Sequence, residues 1–175
     1  LFVHVLRSFH PNSPKINWIN VCFFIITPIV GIAGTVLLCK LGMVKWQTWL
    51  FFGIYLYLTM LAMTAGYHRL FAHKAYHASP IIRFLMIMLG AACFQGSALE
   101  FGTDHRDHHR YSDTEKDLYS INKGFWYAHI GWIIYLDLSK RDYSNVKDLS
   151  ASALIRFQHR HFTAVATFMG FIFPT

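Results

Sequence analysis

Two stretches of this sequence run uncharged for long enough to cross a lipid bilayer. Trp18 to Cys39, WINVCFFIITPIVGIAGTVLLC, is 22 residues long, and so is Trp46 to Tyr67, WQTWLFFGIYLYLTMLAMTAGY. About 20 apolar residues are enough for a spanning helix. In hydrocarbon a chain must satisfy its own backbone polar groups, which a helix does internally. The expected fold class is therefore an all-α integral membrane protein. Trp18, Trp46 and Trp49 sit at the ends of the two runs, where indole rings favour the membrane interface. Pro28 is expected to kink the first span, and KLGMVK between the spans reads as a tight turn that makes them an antiparallel hairpin. A secretory signal peptide is the rival for the first run. It lacks a cleavage site, and a second span follows directly.

The distribution of charge supports the same class. Charged residues are 14% of the 175, against about 25% in soluble domains. All nine acids lie at Glu100 or later, and twelve of the sixteen lysines and arginines lie from Arg69 onward. A net charge of +7 raises nucleic acid as a partner, but the bases flank apolar runs and form no basic stripe, which fits the positive-inside rule. The N-terminus and everything after the second span are thus expected to face the cytoplasm. Cys22, Cys39 and Cys93 stand singly in apolar runs, with neither metal nor disulfide spacing, and are expected to be small core residues.

Phe84 to Leu99 is 16 residues long, short for a span, and suits a helix packed on the membrane face or dipping into it. Arg110 to Lys123 is polar and turn-like, and Leu136 to Ser152 reads as a polar linker. Residues 68–161 would then form a cap outside the bilayer, and residues 162–175 the opening of a third span. The sequence begins with Leu and stops in GFIFPT, so both ends read as cut and a fragment is expected.

The cap segment gathers imidazoles. In TDHRDHHRYSD, His105, His108 and His109 are related as i, i+3 and i+4 and project from one helical face. Neutral imidazole is the commonest ligand for zinc, copper, iron and nickel, and a solvated basic turn is the bland alternative. A second group, His68, His73 and His77, follows the second span in GYHRLFAHKAYH. His68 and His73 are five apart, roughly 140° around an α-helix. They can share a metal only if the helix ends between them, or else each serves a different metal. His73 and His77 are i, i+4, so geometry favours His77 and leaves its role open. His4, His10, His129, His159 and His161 are expected to be hydrogen-bonding or interfacial. Five imidazoles exceed the three protein ligands of a catalytic zinc. An all-imidazole set around two redox-active irons would suit oxygen chemistry on a membrane-dissolved substrate. Asp104 and Asp107 either orient imidazole N–H groups or are surface charges.

At this point TAGYHRLFAH, DHRDHHRYSDTEKD and GFWYAHIGW resemble the membrane-bound fatty acyl desaturases of the stearoyl-CoA delta-9 type, particularly their bacterial members. The resemblance covers Asn17 to Thr175, with both histidine boxes in the right order and spacing. It implies four spans and a cytoplasmic cap holding two Fe ions. The implied reaction is O2-dependent removal of two hydrogens between the ninth and tenth carbons of a saturated fatty acyl thioester, with acyl-CoA the expected form. Electrons would come from a ferredoxin-type or cytochrome-type donor with its reductase, and the bacterial inner membrane is expected over the endoplasmic reticulum. The metal ligands it implies are His68, His73, His105, His108 and His109, with His77 outside the pattern. Gln95 matches a position beside the bend of the acyl tunnel, and Asn20 and Asp104 match positions that touch the carrier end of the substrate.

The sequence also departs from that pattern. The third box and one further histidine would lie beyond Thr175. Phe101 stands where the animal enzymes carry Trp. Gly96, Thr103, Leu136 and Asp137 stand where those enzymes hold coenzyme A with basic or amide groups, and Leu118 replaces a frequent proline. Membrane hydroxylases of fatty acids or sterols share similar boxes. A non-enzymatic metal- or haem-handling protein is the other rival, disfavoured because neither uncharged run contains a histidine.

Overall fold

The computed structural model describes residues 16–135 and 141–175. Among them every regular element is helical, so the all-α expectation holds. Helix α1 is Trp18–Lys40. Helix α2, Trp46–Leu61, runs without a break into a π-helix, Ala62–Ala72. Both are long and apolar enough to cross a membrane. No residue of α1 is buried, and α2 exposes Trp49, Phe52, Ile54 and Tyr57. A soluble protein could not leave so much contiguous apolar surface uncovered, whereas a bilayer covers it.

Cys22 and Cys39 are exposed on α1, not packed in a core as expected. The reason is that α1 leaves most of its surface uncovered by the rest of the protein. Its first turn is tied down, and Phe23 meets the Phe94 ring at 5.2 Å between centroids. The Asn17 side chain caps it by accepting from Asn20 N–H at 3.2 Å, and Asn20 Nδ2 donates to the Ile133 carbonyl at 2.8 Å. Cys93 is half-buried, with its thiol donating to the Thr59 carbonyl.

The apolar run Phe84 to Leu99 does not form the single helix expected. Helix α3, Pro80–Ala91, is followed by a turn in which Phe94 (φ 54°) and Gly96 (φ 82°) take left-handed conformations. Helix α4, Ala98–Tyr111, then starts afresh. Ser97 and Glu100 cause the restart. Ser97 Oγ accepts from Glu100 N–H at 3.2 Å while Ser97 N–H donates to Glu100 Oε2 at 2.8 Å, a reciprocal capping box. The apolar run thus supplies the end of one helix and the beginning of another.

Beyond α4 come a short 3-10 turn, Ile121–Lys123, a π-turn, Tyr127–Gly131, and helix α5, Trp132–Ile134. Instead of a bare linker, the segment after residue 140 contains a 3-10 turn, Tyr143–Val146, and helix α6, Lys147–Ser150, with Val146 and Leu149 buried. Helix α7, Ala153–Arg160, and helix α8, Phe162–Thr167, complete the chain, and α8 continues as a π-turn, Phe168–Ile172.

The main core lies where the π-helix, α3 and α4 meet, around Tyr67, Phe71, Ile87, Leu99, Val146, Leu149 and Ile155. Two glycines permit the approach. A Cβ on Gly66 would stand 2.8 Å from Met86 Cβ, and one on Gly90 would stand 2.3 Å from Tyr67 Cε1. The Tyr67 ring therefore lies directly against the α3 backbone. Buried Gln158 locks this junction: its Nε2 donates to Tyr67 Oη at 2.6 Å, and its Oε1 accepts from Ala98 N–H at 3.0 Å. A smaller cluster, Ala91, Val165, Ala166 and Met169, packs α8 on α3.

Candidate metal centre

The π-helix decides how the first histidine group is arranged. Its N–H groups reach back five residues rather than four, and the His73 N–H donates to the His68 carbonyl at 3.0 Å. Positions five apart are therefore stacked on one side, not about 140° apart. His68 Nε2 and His73 Nε2 come within 3.1 Å. The helix ends at Ala72, so His77 is not on the same face as His73 and lies outside the cluster.

Helix α4 brings the second group to meet the first. His105 Nε2 lies 3.0 Å from His73 Nε2 and 3.1 Å from His109 Nε2. One nitrogen from each of His68, His73, His105 and His109 falls within 4.8 Å of all the others. Nitrogens held about 2.1 Å from one ion and at right angles to each other lie about 3.0 Å apart. The donor set and its spacing therefore fit a metal ion. Crowding reinforces the fit. Burial, and then the neighbouring imidazoles, push the His105 pKa down to about 4, and the same causes lower that of His73. Both shifts favour the neutral ring, the form a metal needs. Phe101 stacks on His105 at 5.5 Å between centroids and Tyr67 meets Phe101 edge-on, giving the cluster an apolar floor.

His108 shares the α4 face but is not in the four-histidine group. Its Nδ1 lies 2.8 Å from Asp117 Oδ1, and its ring stacks on Tyr119 at 4.2 Å between centroids. Tyr119 Oη is 3.3 Å from His105 Nδ1. Asp107, considered above as a partner for an imidazole, instead accepts from Asn145 Nδ2 at 2.8 Å.

Arg106 joins the two ligand-bearing segments. Its guanidinium donates to the carbonyls of Ala72 (2.9 Å), Phe71 (2.9 Å) and Asn145 (2.8 Å), and to both carboxylate oxygens of Asp148 (2.7 and 3.0 Å). One side chain on α4 thereby caps the π-helix just before His73. Two arginine–carboxylate pairs flank the site, the other being Arg141 with Glu100 (2.8 Å) and Asp104. Burial opposes the Arg141 charge, yet these two carboxylates hold its pKa above the ordinary arginine value.

The three positions matched to substrate contacts have different surroundings. Asn20 is bonded to the Ile133 carbonyl, Asp104 is buried against Arg141, and Gln95 is exposed in the turn before α4. Thr103 is buried and donates to the Leu99 carbonyl. Leu136 and Asp137, like His4 and His10, lie outside the described residues. His159 Nδ1 pairs with Ser97 Oγ at 2.8 Å, a hydrogen-bonding histidine as expected, and His129 stacks on Phe125. Asp117, Tyr119, Arg106, Asp148 and Gln158 were not singled out from the sequence. Only Asp117 left a signal there, as an acid in a turn close behind three histidines.

No family model matches the chain. Among curated proteins, the chain is 42% identical to a "Probable acyl-CoA desaturase" of Schizosaccharomyces pombe, over 97% of this chain and 38% of that one. It is 34% identical to "Acyl-CoA desaturase 1" of Saccharomyces cerevisiae, over 97% and 32%. It is 31% identical to the "Acyl-CoA Delta12-desaturase" of Acheta domesticus, over 94% and 47%. The chain spans a third to a half of the length of these relatives.

Proposed function

This chain belongs to the fatty acyl desaturase family, and from that premise we propose that it contributes the first half of the active centre of an oxygen-dependent acyl-CoA desaturase. The observation that carries this reading is the convergence of four imidazole Nε2 atoms from two separate segments at the foot of a membrane-length helix. The family uses iron, and imidazole nitrogens suit that metal. We infer two Fe ions. His68, His73, His105 and His109 would hold one, and His108 would serve the second together with ligands supplied beyond Thr175.

A histidine-held iron centre supplies, when bound, an oxidising power that no side chain has. The residues of this chain do the rest. His68 and His73, set edge to face on one side by the π-register, and His105 and His109, one α-turn apart, turn ring nitrogens to a shared point. Arg106 fixes the spacing between those two pairs. Phe101 and Tyr67 cover one side of His105 with apolar surface and exclude water there. In the overall reaction, two hydrogens leave adjacent carbons of the acyl chain. With two electrons and two protons from the donor system, they reduce one O2 to two waters.

The proposed substrate is a saturated acyl-CoA with the double bond entering after the ninth carbon, and Asn20, Gln95 and Asp104 are proposed contacts along it. The Delta12 named for the Acheta domesticus relative is why regiochemistry must be measured directly. The electron donor is proposed to be a ferredoxin-type or cytochrome-type protein. The cap is proposed to face the cytoplasm, as the distribution of basic residues favours.

The test is gas chromatography of total fatty acids from a desaturase-deficient host expressing the full-length protein. A monounsaturated product with the bond after the ninth carbon supports the whole reading. A bond elsewhere corrects the regiochemistry alone. A hydroxylated lipid moves the protein to the hydroxylases, and no new lipid overturns the proposed reaction.

A further inference from the structure

The turn that follows α4 approaches the second histidine group from behind. Asp117 is fully buried, and its carboxylate is fixed by two backbone donors, Asp113 N–H at 3.0 Å and Tyr119 N–H at 3.2 Å. Lys123 Nζ holds the same turn by donating to the Asp117 carbonyl at 3.1 Å. The remaining capacity of the carboxylate goes to His108, whose Nδ1 lies 2.8 Å from Oδ1. An ionised carboxylate only accepts hydrogen bonds, so the His108 proton sits on Nδ1 and the lone pair on Nε2. Tyr119, two residues on, clamps the face of the same ring at 4.2 Å and places its hydroxyl 3.3 Å from His105 Nδ1. His105 already directs Nε2 at His73 and His109. The turn Asp113–Tyr119 therefore contacts Nδ1 of both His108 and His105 and leaves Nε2 of each for a metal.

We propose that Asp117 is the positioning residue that makes His108 a metal ligand through Nε2, with Tyr119 steadying the same ring. This rests on the reading of the histidine cluster as a metal centre. It goes further by assigning a role to a turn outside the histidine boxes. The physical reason is general: a carboxylate behind a ligating imidazole fixes its tautomer and orientation and raises its basicity, and losing such a partner weakens metal binding about 10–100-fold.

The test is Co(II) affinity of the purified full chain in detergent, by competition with a chromogenic chelator, on a double-mutant cycle of Asp117 and His108. Asp117→Ala should weaken binding about 10–100-fold. Asp117→Asn keeps a side-chain oxygen that accepts from Nδ1 and should recover part of that loss. In a His108→Ala background, where the four other imidazoles still bind cobalt, Asp117→Ala should cause no additional loss, because Asp117 acts through His108 alone. Two results overturn the proposal: unchanged affinity in Asp117→Ala, or losses that multiply across the cycle, which would make Asp117 a scaffold residue only. If Asp117→Ala does not fold, Asp117→Asn and Asp117→Asn/His108→Ala complete the cycle and are judged in the same way. A wild-type chain that binds no cobalt overturns the metal centre itself, whereas a wild type that binds and an Asp117 variant that binds equally overturn only the role of Asp117.

Discussion

His73 sits one π-turn beyond His68, with its N–H on the His68 carbonyl at 3.0 Å and their Nε2 atoms 3.1 Å apart. An α-helical register would turn these rings roughly 140° away from each other, so the extra residue per turn is what makes them a pair. Thr64 lies in the π-helix with an exposed side chain. Deleting it should restore α-register and abolish metal retention in the purified protein. Thr64→Ala, which keeps the residue count, should retain it, with a stability cost within about 0.5 kcal/mol. Metal content by mass spectrometry checks both, and metal retained in the deletion would contradict the π-register account.

His105 is the hub of the four-histidine group, within 3.1 Å of both His73 and His109. In the full-length protein, His105→Ala should abolish the proposed desaturation while leaving membrane insertion intact, as judged by membrane fractionation alongside product analysis. His108→Ala should also abolish desaturation but keep measurable metal at the other four imidazoles.

Arg106 makes five hydrogen bonds across three segments, and its side chain is 18% exposed against 34% for Asp148. Truncation would orphan two carbonyls next to His73 and leave the partly buried Asp148 carboxylate with Lys74 as its remaining cationic partner. Arg106→Ala is expected to cost about 2–3 kcal/mol, read as a lower thermal midpoint in detergent together with weaker metal binding. Arg106→Lys keeps the charge but not the planar fork, so it should recover only a minor part of either loss.

Asp148 gives stability an acid limb. Hydrogen bonds from Arg106, and then Lys74 despite some burial, hold its carboxyl well below the usual carboxylate range. Because the folded pKa is depressed, the stabilisation is fully present above the unfolded value of about 3.9 and is lost as pH falls below it. Melting temperatures measured from pH 7 down to pH 3 should drop on the acid side for the wild type. In Asp148→Asn they should start lower and fall less.

Gly90 lets the Tyr67 ring lie on α3, where a Cβ would come 2.3 Å from Cε1. Gly90→Ala should cost about 1–3 kcal/mol by overpacking. Because Tyr67 adjoins His68, the substitution should also weaken metal binding, and unchanged chelator competition would separate the two effects.

Much of the organisation was legible along the chain. Uncharged runs of 22 residues can be read directly as spans, since bilayer thickness fixes the length that matters. The i, i+3, i+4 spacing of His105, His108 and His109 carried over because α4 is regular there. Other features were less visible. The break within Phe84 to Leu99 left local signals, Gly96 and the Ser97–Glu100 capping box, but a left-handed Phe94 is set by tertiary packing and not by residue type.

The sequence by itself determined which residues are apolar enough for the bilayer and which segments carry imidazoles, because those properties are additive along the chain. Only the tertiary structure decided which imidazoles meet. The π-register sets His68 and His73 on one side, and packing of the π-helix against α4 brings both to His105. Contacts 30 or more residues apart, such as Arg106 with Ala72 and with Asp148, hold them there. The His108 bond to Asp117 is closer in sequence but depends on how the intervening turn folds back. Such pairings depend on distances between segments, and a linear pattern holds no record of those.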